Sequence, residues 1–547
     1  MPSFNRTTIS LSETRIFDQL ILDYIGGDPA TSDLFVHAPN LVGMEKGLEN
    51  QSRRKINREL LVKVMKEQYS FLVSETEKKT INANIELLSS TEVHTICTGH
   101  QLNLFTGPLY TIFKIITTIQ SAQKLSLSSG KKIIPVFWLA SEDHDMDEIN
   151  HIYIYGQRYE WPVDWAGPSG KSSCRGIHTL ISSMRDKFGN SEEAIPWLDL
   201  LEASYQPEDT LSMATRKFLH ALFGKYGLLI LDPDDARLKK EFIPEMINDI
   251  SNHVIDECVS STISKMPKEF KVQVHPRMVN LFYLANNKRT RIDFVDDQFK
   301  LQDGSQTWSE EEIRTEISSS PERFSPNVLL RPLYQEKTLP NIAMVGGPAE
   351  LAYWLELKST FIRNGISFPV LLLRNSVMFL DSQTLARMKK LKLNTSNLFE
   401  TVDEWIRNYI KNGPVENFSA EDSMQEISRA LSLLVKSVEK IDPTLVGAIE
   451  AENSRIQKSL KGFEEKILRS IKKKNETEIN QLQKLHEKIF PYGKLQERTE
   501  NVLPYLFKYG SGIIDELMNT LDPFSNKLFI LEEQSCDQHM VEKNALH

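Results

Sequence analysis

The chain is poor in cysteine and has no long apolar run or block of one charge. Its 547 residues include four cysteines, far apart and never as C-x-x-C, which argues against a disulfide framework or a cysteine-rich zinc site. No uncharged apolar stretch reaches the roughly 18 residues that cross a membrane, and the first 25 residues lack a signal-peptide core. Net charge is -9 without a long basic segment, which disfavours nucleic-acid and anionic-membrane partners. We expect a cytoplasmic protein with small polar partners.

Two nucleotide-binding signatures are also missing. The glycines match neither G-x-G-x-x-G nor G-x-x-x-x-G-K-[ST], and there is no internal repeat. The length still suits two or three domains with a large buried core. Any ligand site must therefore be found from strand and loop patterns.

Residues 93–148 read as the start of a βαβ unit. A β-prone run at 93–97 leads through a loop at 98–108 into a helical pattern at 109–125. The nearly all-apolar segment 133–140 is typical of a parallel strand covered on both faces, and acids follow it at 141–148. Ligands of open α/β sheets bind outside the carboxyl ends of the strands. The active site is predicted between the loop and the acids.

Further strands and helices alternate along the chain and predict an α/β fold with a doubly wound parallel sheet. Glycine and proline turn signals mark 155–220 as an irregular insertion, and the short alternating segments of 270–308 predict hairpins. The remaining core segments are strands at 227–231, 327–332, 342–346 and 368–374 and a helix at 242–263.

Beyond residue 380 the composition changes to long charged helices. Between Pro443 and Pro491, apolar residues recur mostly every three, four or seven positions, which is typical of a coiled coil. One helix with a narrow apolar seam needs a partner, either the shorter helix at 423–441 or another subunit. The seam consists of Ile449, Ile456, Leu460, Phe463, Ile467, Ile471, Ile479, Leu482, Leu485 and Ile489.

Two glycine loops open helices in the predicted core. Gly99 and Gly107 bracket the first, and Gly346-Gly347 begins the second. Backbone N–H groups and a helix dipole there favour a phosphate or carboxylate, although ordinary turn geometry explains the glycines equally. Lys114, one turn into the helix, either contributes to such an anion site or is a solvated side chain. Glu350, Tyr353 and Trp354 follow the second loop and line a pocket or simply pack.

The acidic cluster after the second strand is the strongest candidate for chemistry. Glu142, Asp143, His144 and Asp145 offer ligands for a divalent ion or groups for acid/base catalysis. The alternative is a helix N-terminus enriched in acids for dipole reasons. Arg331 and Arg374 flank core strands and either clamp an anionic substrate or form structural ion pairs.

At these residues the sequence resembles the BshC family, the proposed cysteine-adding enzymes of bacillithiol biosynthesis. The resemblance implies a Rossmann-like core with inserted connecting segments, a C-terminal α-helical coiled coil that pairs two subunits, and joining of L-cysteine to glucosaminyl-malate. The motifs that carry it are Gly99-His100-Gln101, Thr106-Gly107-Pro108-Leu109-Tyr110-Thr111, Pro135-Val136-Phe137-Trp138, Glu142-Asp143-His144-Asp145, Asp147-Glu148-Ile149-Asn150, Arg331-Pro332-Leu333, Gly347-Pro348, Glu350, Tyr353-Trp354 and Glu356-Leu357-Lys358.

The domain boundaries follow from these patterns and from the resemblance. We expect the Rossmann-like core at 1–154, 221–265 and 327–390, an inserted connecting segment at 155–220, an inserted hairpin segment at 266–326, the coiled-coil dimerisation domain at 391–500, and a C-terminal segment returning to the core at 501–547.

An amide between cysteine and a sugar amine requires an activated carboxylate, most simply an adenylate or acyl phosphate. That step requires a nucleotide such as ATP, although no signature identifies the donor. We hypothesise that His144 or a neighbouring carboxylate accepts the amine proton, and we expect no metal. Two alternatives remain: a metal-dependent hydrolase using 142–148, and a non-catalytic coiled-coil scaffold that senses a metabolite. Predicted catalytic residues are His144, Asp143, Asp145 and Glu142; predicted binding residues are Gly99, His100, Gln101, Thr106, Gly107, Tyr110, Arg331, Gly346, Gly347, Glu350, Tyr353 and Trp354.

Overall fold

The computed structural model describes residues 3–51, 55–72, 74–411 and 421–534. The chain divides into two compact units, the first made of 1–379 with 495–547 and the second of 380–494. Among the described residues, no helix is long and apolar enough to span a bilayer. The C-terminal residues 535–547 of the predicted returning segment lie outside the described part of the chain.

The strands of the described chain form three larger sheets and one two-stranded pair. Their bounds are β1 Phe4–Ser10, β2 His94–His100, β3 Ile133–Leu139, β4 His151–Ile154, β5 Gln157–Glu160, β6 Leu229–Leu231, β7 Leu281–Ala285, β8 Lys288–Val295, β9 Gln298–Leu301, β10 Thr307–Trp308, β11 Phe324–Pro326, β12 Asn341–Gly346, β13 Val370–Leu373, β14 Ser376–Leu380 and β15 Lys527–Glu533.

The helices of the first unit cover or connect these sheets, and those of the second form a separate helical array. Their bounds are α1 Gln19–Gly26, α2 Leu41–Gln51, α3 Arg58–Gln68, α4 Glu75–Leu87, α5 Tyr110–Ser129, α6 Met146–Ile149, α7 Ile177–Phe188, α8 Ile195–Ser204, α9 Leu211–Phe223, α10 Ala236–Lys240, α11 Ile243–Asn252, α12 Val254–Lys265, α13 Glu310–Ser319, α14 Arg331–Thr338, α15 Pro348–Leu355, α16 Lys358–Arg363, α17 Ser382–Lys390, α18 Val402–Lys411, α19 Glu421–Val438, α20 Val446–Lys474, α21 Glu476–Ile489, α22 Leu503–Tyr509 and α23 Gly512–Thr520.

A five-stranded parallel sheet is the core of the first unit and confirms the predicted α/β class. Its order is β13-β12-β2-β3-β6, and every neighbouring pair runs parallel. All of β3 is buried, because α5 and other elements cover both of its faces. The first and last described strands of the chain, β1 and β15, pair antiparallel beside β14 in a separate sheet.

Three sequence predictions for the core need correction. Residues 327–332 are not a strand: the Asn327 side chain accepts from the backbone N–H groups of Leu329 and Leu330, and this turn leads into α14. The predicted helix at 242–263 is broken at His253, whose left-handed backbone (φ 48°) separates α11 from α12. The supposedly irregular 155–220 contains α7, α8 and most of α9, because its turn residues cluster only at its start.

The hairpins predicted in 270–308 are present. Strands β7 and β8 are joined by Asn286-Asn287, and β8 and β9 by Asp296-Asp297, with positive φ at all four residues. Asparagine and aspartate tolerate that conformation, and such two-residue turns match the twist of antiparallel strands. The resulting sheet has the order β10-β9-β8-β7-β11, and residues 266–326 also contain α13.

Two buried carboxylates hold the chain that leads into this hairpin sheet. Asp249 on α11 accepts from the backbone N–H (2.7 Å) and side-chain amide (2.9 Å) of Asn280, and Glu356 accepts from the N–H of Gln273 (2.8 Å). Burial raises the pKa of each carboxyl group to about 7, although the hydrogen bonds that each accepts lower its pKa in part. The native state therefore binds protons that the unfolded chain has already released at neutral pH.

Asp249→Asn is expected to flatten the pH dependence of stability. A carboxyl group whose folded-state pKa is raised stabilises the native state at low pH, and this stability falls as pH rises from about 4 to just above 7. For Asp249 the loss between pH 5 and pH 8 amounts to roughly 2–3 kcal/mol. Urea unfolding of wild type and variant at several pH values measures it. An exposed control, Asp186→Asn, should keep the wild-type slope; the same slope in Asp249→Asn would contradict the assignment.

The second unit is built from α17 to α21, and it corrects the prediction of one unbroken helix. The helix that was predicted between Pro443 and Pro491 is interrupted at Asn475, so α20 and α21 are separate. α19 packs along α20, where Gln457 donates to Ser428 Oγ (2.7 Å) and to the carbonyl of Met424 (2.9 Å). α21 packs instead on α17 and α18. Within the chain, α19 is thus the partner helix that the sequence offered as one alternative, and it leaves Phe463 of the seam exposed (57%).

Candidate active site

Parallel order brings the two polar segments of 93–148 to one edge of the sheet. Strands β2 and β3 pair in register up to His100 opposite Leu139, so the residues that follow each strand emerge side by side. Gln101 Nε2 then bridges the two segments, donating to Asp143 Oδ2 (2.9 Å) and Glu148 Oε2 (3.0 Å). The predicted loop and acidic cluster therefore meet at the carboxyl edge, where α/β proteins bind ligands.

Asp143 is the most strongly anionic group of this edge. Its Oδ1 accepts the backbone N–H of His144 at 2.8 Å. Burial works against ionisation, but the hydrogen bonds from His144 and Gln101 and the nearby Arg289 and Arg331 guanidinium groups hold the pKa of Asp143 well below its usual range. Asp143 is therefore a carboxylate throughout the neutral pH range.

His144 stands next to Asp143 with its ring partly open to solvent. Arg289 Nη1 lies 3.3 Å from His144 Nδ1. Asp143 Oδ1 lies 3.7 Å from the same nitrogen and would accept an Nδ1–H. Arginine has no acceptor, so where Arg289 donates to Nδ1, the ring proton is on Nε2. In this arrangement His144 presents an N–H donor toward the open side of the site.

The other two predicted catalytic acids have structural partners. Glu142 is buried, 2.5 Å from Lys239 Nζ, which also contacts Asp234 at 2.9 Å. Burial raises the pKa of Glu142, opposed by Lys239. Asp145 is exposed and caps α6 by accepting the N–H of Glu148 at 3.4 Å. Asp145 therefore fits the alternative interpretation of the acidic cluster, in which the acids stabilise a helix N-terminus.

Of the two possibilities for Lys114, the solvated side chain is wrong, because the side chain is only 1% exposed. Its ammonium group donates to the Gly99 carbonyl (2.5 Å) and lies 2.7 Å from Glu350 Oε2. Burial lowers the pKa of Lys114 and the Glu350 carboxylate raises it again, with a net lowering. Glu350 also accepts the N–H of Gly347 (2.8 Å). The backbone N–H of Gly347 in the second glycine loop is therefore already hydrogen-bonded to the Glu350 carboxylate.

The first glycine loop keeps polar atoms free for a ligand. Among the described residues, the buried atoms His100 Nε2 and Thr106 Oγ1 have no hydrogen-bond partner. Burial and the nearby Lys114 lower the pKa of His100 to about 3, so its ring is neutral. Gly107 has a φ of 65°, and an added Cβ would lie 2.5 Å from the Asn103 side chain. The Tyr110 ring packs edge-on against His100 at 5.2 Å, and burial raises its pKa to about 12.

The two arginines that were predicted to flank core strands differ in role, and Arg331 instead begins α14. Arg374 donates to Glu497 Oε1 at 2.7 Å, and both side chains are almost fully buried, so this is a structural ion pair. Arg331 hydrogen-bonds Tyr353, and its positive charge is attracted by the carboxylates of Asp143 and Glu350. Tyr353 accepts from Trp354 Nε1 (3.2 Å).

The remaining predicted binding residues serve packing. Trp354 is buried and stacks on Phe361. Gly346 lies close to Leu351, and a Cβ there would come within 2.7 Å of the leucine Cδ1.

Three charged residues of this region were not predicted. Arg289 comes from β8, Lys239 from α10 and Glu497 from the segment after the helical unit. Each lies in a stretch whose local pattern describes only a strand, a helix or a loop. Since their partners His144, Glu142 and Arg374 are more than ninety residues away in the chain, only the assembled fold reveals these three contacts.

No group of three or more His, Cys, Asp or Glu side chains suited to a metal occurs among the described residues. Cys97 and Cys174 are free and buried, and Cys258 is free and partly buried. Cys536 lies outside the described residues.

Comparison with known proteins covers nearly the whole chain. Residues 4–375 match the family model "Bacillithiol biosynthesis BshC, N-terminal Rossmann-like domain", and residues 377–533 match "Bacillithiol biosynthesis BshC, C-terminal coiled-coil domain". Three similar proteins are each named "Putative cysteine ligase BshC". They come from Christiangramia forsetii (36% identity, 96% of this chain and 98% of the relative), Flavobacterium johnsoniae (35%, 96% and 99%) and Cytophaga hutchinsonii (34%, 96% and 98%). With both of its domains matched and the predicted Rossmann-like and coiled-coil architecture confirmed, the chain belongs to the BshC family.

Proposed function

We propose that this protein is a ligase that joins the carboxylate of L-cysteine to the amine of glucosaminyl-malate and so forms bacillithiol. The names of its relatives support a cysteine ligase. The observation that carries the proposal is the ionised Asp143, fixed at the carboxyl edge of the core sheet by Gln101 and the backbone of His144. Such a carboxylate suits a substrate that arrives with an ammonium group.

Activation of the cysteine carboxylate needs a co-substrate, and the residues of the first glycine loop fit one. His100 Nε2 and Thr106 Oγ1 are buried atoms without protein partners among the described residues, so a bound ligand would satisfy them. The second loop fits less well, because Glu350 already accepts the Gly347 N–H. We therefore assign a nucleotide such as ATP to the first loop. When bound, it would supply the adenylyl or phosphoryl group that turns one oxygen of the cysteine carboxylate into part of a leaving group, with release of pyrophosphate or ADP.

In the proposed reaction, the amine nitrogen attacks the activated cysteine carbonyl, the amide bond forms, and the bond to the leaving group breaks. The substrate ammonium group first loses one proton to solvent, which frees the nitrogen lone pair for the attack. Asp143 holds the amine by accepting an N–H and takes up the second proton as the amide forms, when that proton has become strongly acidic. His144 is a poorer acceptor while Arg289 donates to Nδ1, because Nε2 then already carries a proton. We assign His144 as a hydrogen-bond donor to the carbonyl oxygen.

Deletion of the gene tests the proposed step in the cell. Metabolite analysis of the deletion strain should show accumulated glucosaminyl-malate and no bacillithiol, with restoration by the wild-type gene. Intact bacillithiol production would support the scaffold alternative and overturn the proposal. A plasmid carrying Asp143→Asn separates loss of this site from loss of the whole protein.

We also propose that the helical unit makes the protein a homodimer. The pairing of α19 with α20 leaves large apolar side chains in solvent, including Leu433 (61% exposed) and Phe463 (57% exposed). Apolar residues concentrated on one helical pair are typical of a protein–protein interface. A second copy of the same unit would cover them.

Phe463→Glu is expected to weaken this association by at least about tenfold, since buried aromatic side chains dominate the energy of most interfaces. Sedimentation velocity or light scattering over a micromolar concentration series measures the dimer fraction. Lys458→Glu, on the same helix and exposed, is the matched control. A wild-type monomer at all these concentrations would contradict the dimer.

A further inference from the structure

Arg289 reaches the site from the inserted hairpin segment. It lies on β8 just after the Asn286-Asn287 turn, and its backbone N–H donates to the carbonyl of Ala166 at 3.4 Å. An added Cβ at Gly167 would lie 2.7 Å from the Asn287 carbonyl oxygen, so the turn packs closely on this stretch. The hairpin turn is thus seated against the connecting segment at residues 166–167, and the Arg289 side chain is only 9% exposed.

The guanidinium group of Arg289 is held on several sides. Nε donates to Ser325 Oγ (3.1 Å) and Nη2 to the carbonyl of Pro326 (3.2 Å), while Nη1 reaches His144 Nδ1 (3.3 Å). The Phe282 ring centroid lies 3.8 Å from its Cζ. A guanidinium has five N–H donors, so these three contacts leave one donor on each terminal nitrogen. Its position is fixed before any ligand arrives.

The positive charge of Arg289 has no carboxylate in direct contact among the described residues. The nearest ion-pair contact is Asp143 Oδ1 at 4.0 Å, and that oxygen already accepts the His144 N–H. Arg374, by contrast, is paired with Glu497 at 2.7 Å. A buried cation with spare donors gains most from a ligand anion, and a planar fork suits a carboxylate.

We propose that Arg289 binds a malyl carboxylate of the acceptor substrate and thereby makes the inserted hairpin segment a determinant of specificity. This inference rests on the proposed function. The carboxylate of cysteine loses its charge on activation, whereas the malyl carboxylates stay anionic throughout the reaction. A permanent, preorganised cation therefore matches the acceptor and not the donor.

The test compares an acceptor that carries carboxylates with one that does not. Full-length wild type, Arg289→Met and Arg289→Lys are titrated by calorimetry with glucosaminyl-malate and with methyl glucosaminide. Arg289→Met should bind glucosaminyl-malate roughly 10- to 100-fold more weakly, because a charge-assisted bidentate contact is lost. Methyl glucosaminide should bind all three proteins alike. Arg289→Lys, which keeps the charge but not the fork, should fall between.

Steady-state kinetics give a second readout. KM for glucosaminyl-malate should rise in Arg289→Met while KM for cysteine stays unchanged. Arg291→Met is the matched control, since Arg291 is on the same strand and pairs with Asp293 at 2.8 Å. If Arg289→Met fails to fold, Arg289→Lys is compared with wild type instead.

Three outcomes would overturn the inference, and the third would also contradict the proposed function. Unchanged binding of glucosaminyl-malate by the variants would contradict the role of Arg289. An equal loss for methyl glucosaminide would show that Arg289 acts only by positioning His144. Wild-type protein that binds no glucosaminyl-malate and forms no bacillithiol would contradict the proposed function itself.

Discussion

Asp143→Asn is expected to lower the rate of bacillithiol formation by roughly a hundredfold or more, the usual scale for loss of a general base. The amide keeps the size of the side chain and accepts from either Gln101 or the His144 N–H, but not from both. It carries no charge to hold the ammonium group and accepts no proton. Product formation is measured by mass spectrometry on purified protein at saturating substrates. Thermal stability should change little, because Asp143 is partly exposed at the rim of the sheet.

The pH dependence of the rate of bacillithiol formation gives a second test of this prediction. The pKa of Asp143 is held well below its usual range, so the carboxylate is ionised throughout the assayable range. The ratio of wild-type to variant rate should therefore be constant from pH 6 to pH 9, and the acid limb should report the substrate amine. Asp145→Asn, which alters only the cap of α6, is the control and should retain near-normal turnover. Normal turnover by Asp143→Asn would show that the reaction does not depend on this carboxylate.

Arg374→Met is expected to lower the free energy of unfolding by roughly 3–5 kcal/mol, the usual cost of breaking a buried ion pair. Glu497 would keep its charge inside the protein, with only Ser376 and the backbone N–H of Val377 (3.0 Å) as remaining partners. The first transition in urea unfolding, followed by circular dichroism, measures the change. Both side chains are almost fully buried, so solvent screening is weak.

A double substitution separates the pair from simple packing. Arg374→Met with Glu497→Gln should recover a large part of the lost stability, because no buried charge is then left uncompensated. Arg185→Met breaks a largely exposed pair with Asp199 and should have a small effect. Additive losses in the double variant would show that the ion pair is not the source of the stability.

The core sheet could be predicted because its strands are encoded locally. Apolar runs such as Ile133–Leu139 have the length and flanking turns of buried parallel strands. The run Val328-Leu329-Leu330 has the same apolar character, but Asn327 caps it into a turn and Pro332 begins a helix, so composition alone was misleading. Periodicity could not locate the break at Asn475 either, since the apolar spacing continues across it.

The site was only partly predictable, for a related reason. Gln101 and Asp143 follow neighbouring strands, so their meeting follows from parallel topology. Arg289 and His144 are 145 residues apart in the chain, and nothing local says where the hairpin docks. Likewise, Lys114 looks like any lysine on a helix until the fold places Glu350 beside it. Long-range pairing of charges is a property of the packed chain.

The central claim is that this chain itself forms the amide, and its most direct test uses purified protein with L-cysteine labelled with ¹⁸O in the carboxylate, glucosaminyl-malate and ATP. The account predicts bacillithiol that retains one labelled oxygen, with the other transferred to AMP or to phosphate. Wild-type protein that binds both substrates yet forms no bacillithiol and transfers no label would contradict it.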